Sequence, residues 1–135
     1  MRINKKVVSR ATDWLNQALR DLKHAEKSVE MGDYEWACFA SQQAAEKALK
    51  ALFQAMGVEV WGHSVLKMVQ SLEYGSELLD CAKELDKFYI PTRYPNSYSE
   101  GIPAEYFTES DAKRAISCAR KVVEFCHKAI QDKLR

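Results

Sequence analysis

Three histidines, His24, His63 and His127, are the only imidazoles that this 135-residue chain offers for acid–base chemistry. Such chemistry needs a titratable group in a pocket, within reach of the proton that it moves. A surface position is expected for His24, on the polar side of a predicted helix, while His127 follows an apolar stripe near the end of the chain. His63 follows Gly62 at a predicted helix start. Its side chain has two possible roles there, capping the helix or acid–base chemistry.

Arg93 is the basic residue that the sequence singles out. It is the only lysine or arginine of residues 88–112, and it stands among Tyr89, Tyr94 and Tyr98. An arginine can stack on aromatic rings and still donate its fork of N–H groups to a phosphate, which suits a nucleotide or RNA. A carbonyl-bonded or cation–π arginine that closes a helical bundle is the alternative, and the residues alone do not decide between the two.

Several features of the sequence narrow the classes of protein to consider. It contains no glycine-rich phosphate loop, no H-E-x-x-H and no G-x-S-x-G, which disfavours the classes that these motifs mark. The formal net charge of +1 provides no general attraction to nucleic acid or membranes. No segment resembles a signal peptide or reaches the ~20 apolar residues of a membrane span, so a cytoplasmic protein is expected, with no membrane partner.

The four cysteines show no C-x-x-C spacing, and a chain of this size does not need disulfides to hold a core. Reduced core thiols are therefore expected. Cys118 and Cys126 share a predicted helix face with His127 close by, but a metal site would need further ligands from elsewhere. Neither a metal nor a cofactor is predicted.

Helices are the elements that must position these residues. Apolar residues recur every three or four positions between Val8 and Val29, which predicts a first helix. Gly32 suits a left-handed C-terminal cap, and the carboxylate of Asp33 is placed to accept the free N–H groups of a second helix that runs to Met56. Seven alanines in the second helix permit close helix approach.

Two short helices and one long final helix complete the prediction: Val65–Tyr74, Ser76–Tyr89 and Thr108–Lys133. His63 or Ser64 caps the first of them, and Thr108 forms a capping box with Asp111 at the start of the last. The predicted fold is an all-α, up-and-down helical bundle of three long and two short helices, in a single domain that spans residues 1–135.

A segment rich in proline and aromatic residues precedes the last helix. Residues 88–107 contain all three prolines and six aromatic side chains. Prolines at this density exclude a helix interior, and aromatic side chains bury a large area when they dock. An ordered loop laid across the helices is therefore predicted.

The sequence resembles the prokaryotic HEPN domain family in four features: the run GDYEWACFASQQAAEKALKALF, the GH pair at residues 62–63, the loop FYIPTRYP at residues 88–95, and the final helix opened by Thr108. The resemblance covers nearly the whole chain. It implies a small helical bundle that usually forms a homodimer and is often encoded beside a minimal nucleotidyltransferase. Members of that family act as metal-independent RNases or toxins, and others are proposed to bind nucleotides.

The RNase members of that family carry an arginine that is followed, after four to six residues, by a histidine. The resemblance implies that the histidine moves protons and the arginine stabilises the charge of the phosphorane. Arg93 matches the arginine, but Tyr98, Ser99 and Glu100 stand where the histidine is expected. A tyrosine with an ordinary pKa near 10 is a poor general base at pH 7.

The sequence supports three hypotheses. In the first, a homodimeric module binds a nucleotide, RNA or a partner nucleotidyltransferase through Arg93, Tyr89, Tyr94 and Tyr98. In the second, the chain is an RNase toxin in which Tyr98 or His63, folded nearby, replaces the missing histidine. In the third, the chain is a structural homodimer without a ligand, and the loop only seals the core.

Overall fold

Five α-helices form the regular structure of residues 10–133, which the computed structural model describes. They are α1 (Ala11–Glu30), α2 (Tyr34–Ala55), α3 (Val65–Gln70), α4 (Leu79–Asp86) and α5 (Glu109–Lys133). No β-strand occurs in this part of the chain. The predicted all-α bundle of three long and two short helices is confirmed, although Val8, the predicted start of α1, lies outside the described residues.

The core is built around α2. This helix packs along both α1 and α5, which also contact each other. All seven of its alanines are buried, as are Leu49 and Leu52, because one long helix covers each of its two apolar sides. Small side chains let the helix backbones approach closely, which is the packing that the alanine content predicts.

The turn between α1 and α2 follows the sequence prediction in its backbone. Gly32 has a φ of 79°, a conformation that favours glycine. The amides of Gly32 and Asp33 donate to the carbonyl oxygens of Val29 at 3.0 Å and Ser28 at 2.9 Å, which ends α1. Asp33 stands at the N-cap of α2, but its side chain makes no capping hydrogen bond. That part of the prediction is wrong, because the backbone of Asp33 (φ −90°, ψ 69°) lies outside the extended region that capping side chains usually need.

The two short helices are shorter than their apolar patterns predict. Ser64 caps α3, since its hydroxyl oxygen accepts from the amide of Lys67 at 3.1 Å. The helix ends at Gln70 rather than at Tyr74. The predicted fourth helix divides into a 3-10 turn over Ser76–Leu78 and the helix α4. It ends at Asp86 instead of Tyr89, because the amides of Lys87 and Phe88 donate to carbonyl oxygens three residues back, those of Glu84 at 3.2 Å and Leu85 at 3.0 Å.

The long loop before α5 is held by its own contacts, as its aromatic content predicts. It includes two 3-10 turns, Pro95–Ser97 and Pro103–Glu105. The rings of Phe88 and Phe107 pack edge to face at 6.0 Å, and the buried hydroxyl of Thr92 donates to the carbonyl of Phe88 at 2.7 Å. The loop ends in the predicted capping box, confirmed by reciprocal 3.0 Å bonds between Thr108 and Asp111.

A disulfide joins α4 to α5 through Cys81 and Cys118, whose Cα atoms are 5.0 Å apart. The expectation of reduced thiols is wrong for this pair, because the two cysteines stand 37 positions apart in the sequence and only the packing of α4 against α5 brings them together. It holds for Cys38 and Cys126, which are free and buried. Burial raises the pKa of the Cys38 thiol to about 12.

Candidate functional site

Arg93 lies among three aromatic rings. Its guanidinium carbon is 4.1 Å from the ring centre of Phe39, 4.8 Å from that of Tyr89 and 5.0 Å from that of Tyr94. Its Nε donates to the carbonyl oxygen of Tyr89 at 2.9 Å, and its Nη2 donates to the same oxygen. The sequence placed tyrosines beside Arg93, but the nearest ring comes from α2, through Phe39.

The charge of Arg93 is not neutralised by a carboxylate in residues 10–133. None of the ion pairs in that range includes it. By contrast, Arg114 pairs with Asp111 at 2.9 Å and Arg120 pairs with Glu26 at 3.2 Å. A guanidinium without a carboxylate keeps its electrostatic attraction for an anion such as phosphate.

His63 reaches the same aromatic cluster from the loop between α2 and α3. Its ring stacks on Tyr89, with centroids 4.5 Å apart and planes inclined by 18°. Its Nδ1 lies 3.2 Å from Oε1 of Glu46, and its side chain is 54% exposed. Because Arg93 also contacts the Tyr89 ring, the fold brings together two candidates that stand thirty residues apart in the chain. We call Phe39, His63, Tyr89, Arg93 and Tyr94 the arginine cluster.

Polar side chains of α2 contact both the ring and the backbone of His63. Glu46 is buried, and its carboxylate accepts from Gln42 Nε2 at 3.2 Å and from Lys50 Nζ at 3.1 Å. Gln42 also donates to the backbone carbonyl of His63 at 3.0 Å. Sequence reasoning overlooked Glu46 and Gln42. The sequence did contain a signal for them: two glutamines and a glutamate stand among the alanines of a helix that is otherwise largely apolar.

Tyr98 makes its contacts within the loop. Its hydroxyl donates to the carbonyl of Pro91 at 3.0 Å, and its ring stacks on Tyr106 at 4.0 Å with planes inclined by 6°. Burial, assisted by Tyr106, raises the pKa of Tyr98 above its ordinary value of 10. The phenol is therefore protonated at neutral pH and is not poised to accept a proton.

The remaining chemistry-bearing residues lie elsewhere. His24 is exposed on α1, as expected, and His127 is exposed on α5. Cys118 is engaged in the disulfide and Cys126 is buried. In residues 10–133, no three His, Cys, Asp or Glu side chains come together as a potential metal site. None of the helices in this range is long and apolar enough to cross a membrane.

The match to known protein families covers the bundle and the site. Residues 11–130 match the HEPN domain. This chain belongs to the HEPN domain family. The match includes α2, the His63 loop and the Arg93 loop, so the arginine cluster lies wholly inside the HEPN domain.

Relatives of this HEPN chain are found among both named proteins and solved structures. A Methanocaldococcus jannaschii protein named as a candidate toxin is 26% identical over 133 residues, which cover 89% of this chain and 88% of that protein. A crystal structure of a Thermus thermophilus protein has 46% identity and a TM-score of 0.86, covering 89% of this chain and 98% of the other. An archaeal HEPN homologue has 45% identity and a TM-score of 0.79, covering 90% and 98%. A HEPN domain protein from Thermotoga maritima has 39% identity and a TM-score of 0.68, covering 86% and 95%.

The arginine cluster of this HEPN chain combines three chemical capacities on one surface. The Arg93 guanidinium can attract an anion, the rings of Tyr89 and Tyr94 can stack on an aromatic group, and the half-exposed His63 imidazole can form a hydrogen bond.

Proposed function

We propose that this HEPN chain binds a nucleotide or single-stranded RNA at the arginine cluster. The observation that carries the proposal is the Arg93 guanidinium, which is held between aromatic rings without a carboxylate partner in the described part of the chain. A structural arginine that closes the bundle would also make the carbonyl and ring contacts of Arg93, but no ion pair in residues 10–133 neutralises its charge. The charge of Arg93 leaves capacity for a phosphate, and its neighbouring rings supply stacking surface.

Exposed aromatic side chains around the arginine cluster extend the proposed binding surface. Tyr94 is 46% exposed, and Trp61, two residues before His63, is 88% exposed. Stacking of a base on an aromatic side chain contributes about 1–3 kcal/mol per base in single-stranded nucleic acid binding. Loop residues such as Trp61 therefore offer a nucleic acid strand more contacts than a mononucleotide uses.

We further propose that the chain works as a homodimer and as the partner of a minimal nucleotidyltransferase, in a toxin–antitoxin pair. The name of the Methanocaldococcus jannaschii relative favours a toxin. Exposed apolar side chains next to the arginine cluster, Trp36 and Ile90, favour a protein interface there. In a dimer built on that face, two copies of Arg93 would lie at one cleft.

Binding of a fluorescently labelled, unstructured RNA oligonucleotide, measured by anisotropy, tests the site. Arg93→Ala is expected to raise the Kd by about tenfold or more, because a hydrogen bond to a charged group contributes about 1.5–3 kcal/mol. Arg20→Ala, which removes an exposed arginine of α1, is the matched control and should bind like the wild type. Unchanged binding by Arg93→Ala would contradict the proposal. Sedimentation velocity of the same samples reports whether the chain dimerises.

A structural role for Arg93 is the second candidate, because two of its nitrogens already donate to the carbonyl of Tyr89. In that case Arg93→Ala lowers the melting temperature and leaves RNA binding unchanged. Arg93→Lys separates the two roles further. It keeps the charge and loses the planar fork, so under the binding proposal its affinity lies between those of the wild type and Arg93→Ala.

A further inference from the structure

We propose that the disulfide between Cys81 and Cys118 is a redox switch for the arginine cluster. The oxidised chain holds the cluster in its binding arrangement, and reduction of the disulfide weakens ligand binding. The inference rests on the proposed function, because affinity for the ligand is what the switch controls. The two cysteines are not members of the cluster, so the effect must pass through the helix that carries one of them, α4.

The helix α4 is short and depends on its contacts for its position. It has eight residues, a length at which an isolated helix is not stable in water. Besides apolar packing, two side-chain links join α4 to α5 in the described part of the chain: the disulfide and the ion pair of Glu84 with Arg114 at 3.6 Å. The Arg114 side chain is 57% exposed, and exposed ion pairs contribute little to stability. The disulfide is therefore the stronger of the two links.

The last residue of α4 holds the segment that carries His63. The carboxylate of Asp86 accepts from the hydroxyl of Ser64 at 2.7 Å and from the amides of the first two residues of α3 at 2.7 and 3.2 Å. Ser64 directly follows His63 in the chain. A displacement of the end of α4 therefore also displaces the loop from which His63 reaches the cluster.

The same end of α4 leads into the segment that carries the other loop members of the cluster. Tyr89 stands three positions after Asp86, and Arg93 stands seven positions after it. Phe39 belongs to α2 instead, and its ring centre lies 4.1 Å from the guanidinium carbon of Arg93. Because α4 is connected to both loops and Phe39 is not, a shift of α4 against α2 separates the guanidinium from its nearest ring.

Thiol–disulfide exchange operates the switch. Cys118 is half-buried and Cys81 is only 9% exposed, so a dithiol reductant reaches the Sγ atom of Cys118 first. Its thiolate forms a bond to that sulfur, the bond between the two cysteines breaks, and Cys81 leaves as a thiolate that takes up a proton. The second thiol of the reductant then displaces Cys118. The protein gains two electrons and two protons, and the dithiol becomes a disulfide.

The experiment measures binding of the labelled RNA oligonucleotide by oxidised protein and by protein reduced with dithiothreitol. Thiol titration of the denatured chain should give two free thiols in the first sample and four in the second. Reduction is expected to raise the Kd by about fivefold or more, as is typical of coupling between distinct sites. Reoxidation with oxidised glutathione should restore the original Kd.

Two cysteine variants show whether the effect belongs to this pair. The Cys81→Ala, Cys118→Ala double variant should bind like the reduced wild type, with or without reductant. Cys126→Ala removes a buried free thiol and keeps the pair, so it is the matched control and should respond to reductant like the wild type.

Hydrogen exchange provides a readout that needs no ligand. The amides of Val65 and Leu66, which donate to Asp86, should exchange faster after reduction. Asp86→Asn keeps the shape of the side chain and removes its charge. It is expected to weaken RNA binding by the oxidised protein and to reduce the further effect of dithiothreitol, because both changes act on the same link.

The outcomes separate the switch from the binding site. Equal Kd values in the oxidised and reduced wild type overturn this inference and leave the proposed function standing, as does a double variant that still responds to reductant. Four free thiols after oxidation overturn it as well. Loss of binding together with the helical circular dichroism signal is unfolding, which also overturns the switch. Absence of RNA binding in both redox states overturns the proposed function and this inference with it.

Discussion

The side chains of Arg93 and Tyr98 have different partners although only four residues separate them. The guanidinium of Arg93 lies in the arginine cluster, which includes residues of α2 and of the α2–α3 loop. Tyr98 donates to Pro91 and stacks on Tyr106, so its contacts are those of the loop itself. At the scale of single residues, Arg93 and His63 therefore contact one ring from different parts of the chain, whereas the contacts of Tyr98 hold the loop together.

Tyr98→Phe is expected to lower the free energy of unfolding by about 1 kcal/mol, since it deletes a partly buried hydrogen bond. The native phenol also binds its proton more tightly than the unfolded one, because its pKa is raised. The stability that this group contributes is therefore present below pH 10 and is lost as the pH rises above that value. Urea unfolding of the variant and of Tyr74→Phe, which changes an exposed tyrosine, provides the measurement and its control. Weaker RNA binding with unchanged stability would instead make Tyr98 part of the ligand site.

The capping box at the start of α5 matters at the scale of the element because it ends the Arg93 loop at a defined point. Thr108 and Asp111 satisfy each other's amides, so two reciprocal hydrogen bonds hold the end of the loop against the first turn of α5. The hydrogen bond from the backbone of Thr108 is the main cause that lowers the pKa of Asp111, and Arg114 adds to it.

Asp111→Ala is expected to cost about 1 kcal/mol of stability at pH 7. The pKa of this carboxyl is lowered in the native state, so its contribution is complete above the unfolded pKa of about 3.8 and is lost as the pH falls through the lower native value. The stability difference between Asp111→Ala and the wild type should thus shrink in acid. Urea unfolding at a series of pH values measures it. Glu109→Ala, an exposed carboxylate in the same turn without a capping bond, should show a smaller difference.

The disulfide acts at the scale of the whole molecule because it closes a loop that contains the Arg93 segment. Cys81 and Cys118 stand 37 positions apart in the sequence, and the whole segment from the second half of α4 to the first turns of α5 lies between them. A crosslink restricts the unfolded chain, which stabilises the folded one by an amount that grows with the length of the closed loop.

Reduction of the disulfide is expected to lower the free energy of unfolding by about 4 kcal/mol, the amount that loop closure over this length provides. Urea unfolding with and without dithiothreitol measures the effect. A Cys81→Ala, Cys118→Ala double variant is the control, and its stability should not respond to the reductant. An equal response of the wild type and the double variant would contradict a stabilising crosslink.

Much of the fold could be predicted from local patterns. The helix periodicity, the left-handed Gly32 and the Thr108 capping box depend on residues within one or two turns, and each is present in the structure. Two features were not predictable from local patterns. The helices α3 and α4 end earlier than their apolar residues indicate, and the carboxylate of Asp33 makes no capping hydrogen bond. Packing and loop geometry override weak local preferences at these positions. For the site, residue type alone identified Arg93, Tyr89, Tyr94 and His63 as candidates.

The sequence by itself determined that the chain forms helices, where the longest of them lie, and that one loop collects the arginine and the tyrosines. Only the tertiary structure decided that His63 shares the ring of Tyr89 with Arg93, that Glu46 holds His63, and that Cys81 meets Cys118. The physical reason is the distance along the sequence between the residues that make contact. Hydrogen bonds along a helix join residues three or four apart, whereas the contacts of His63 with Tyr89 and Glu46 and of Cys81 with Cys118 join residues 17 to 37 apart and exist only once the helices have packed.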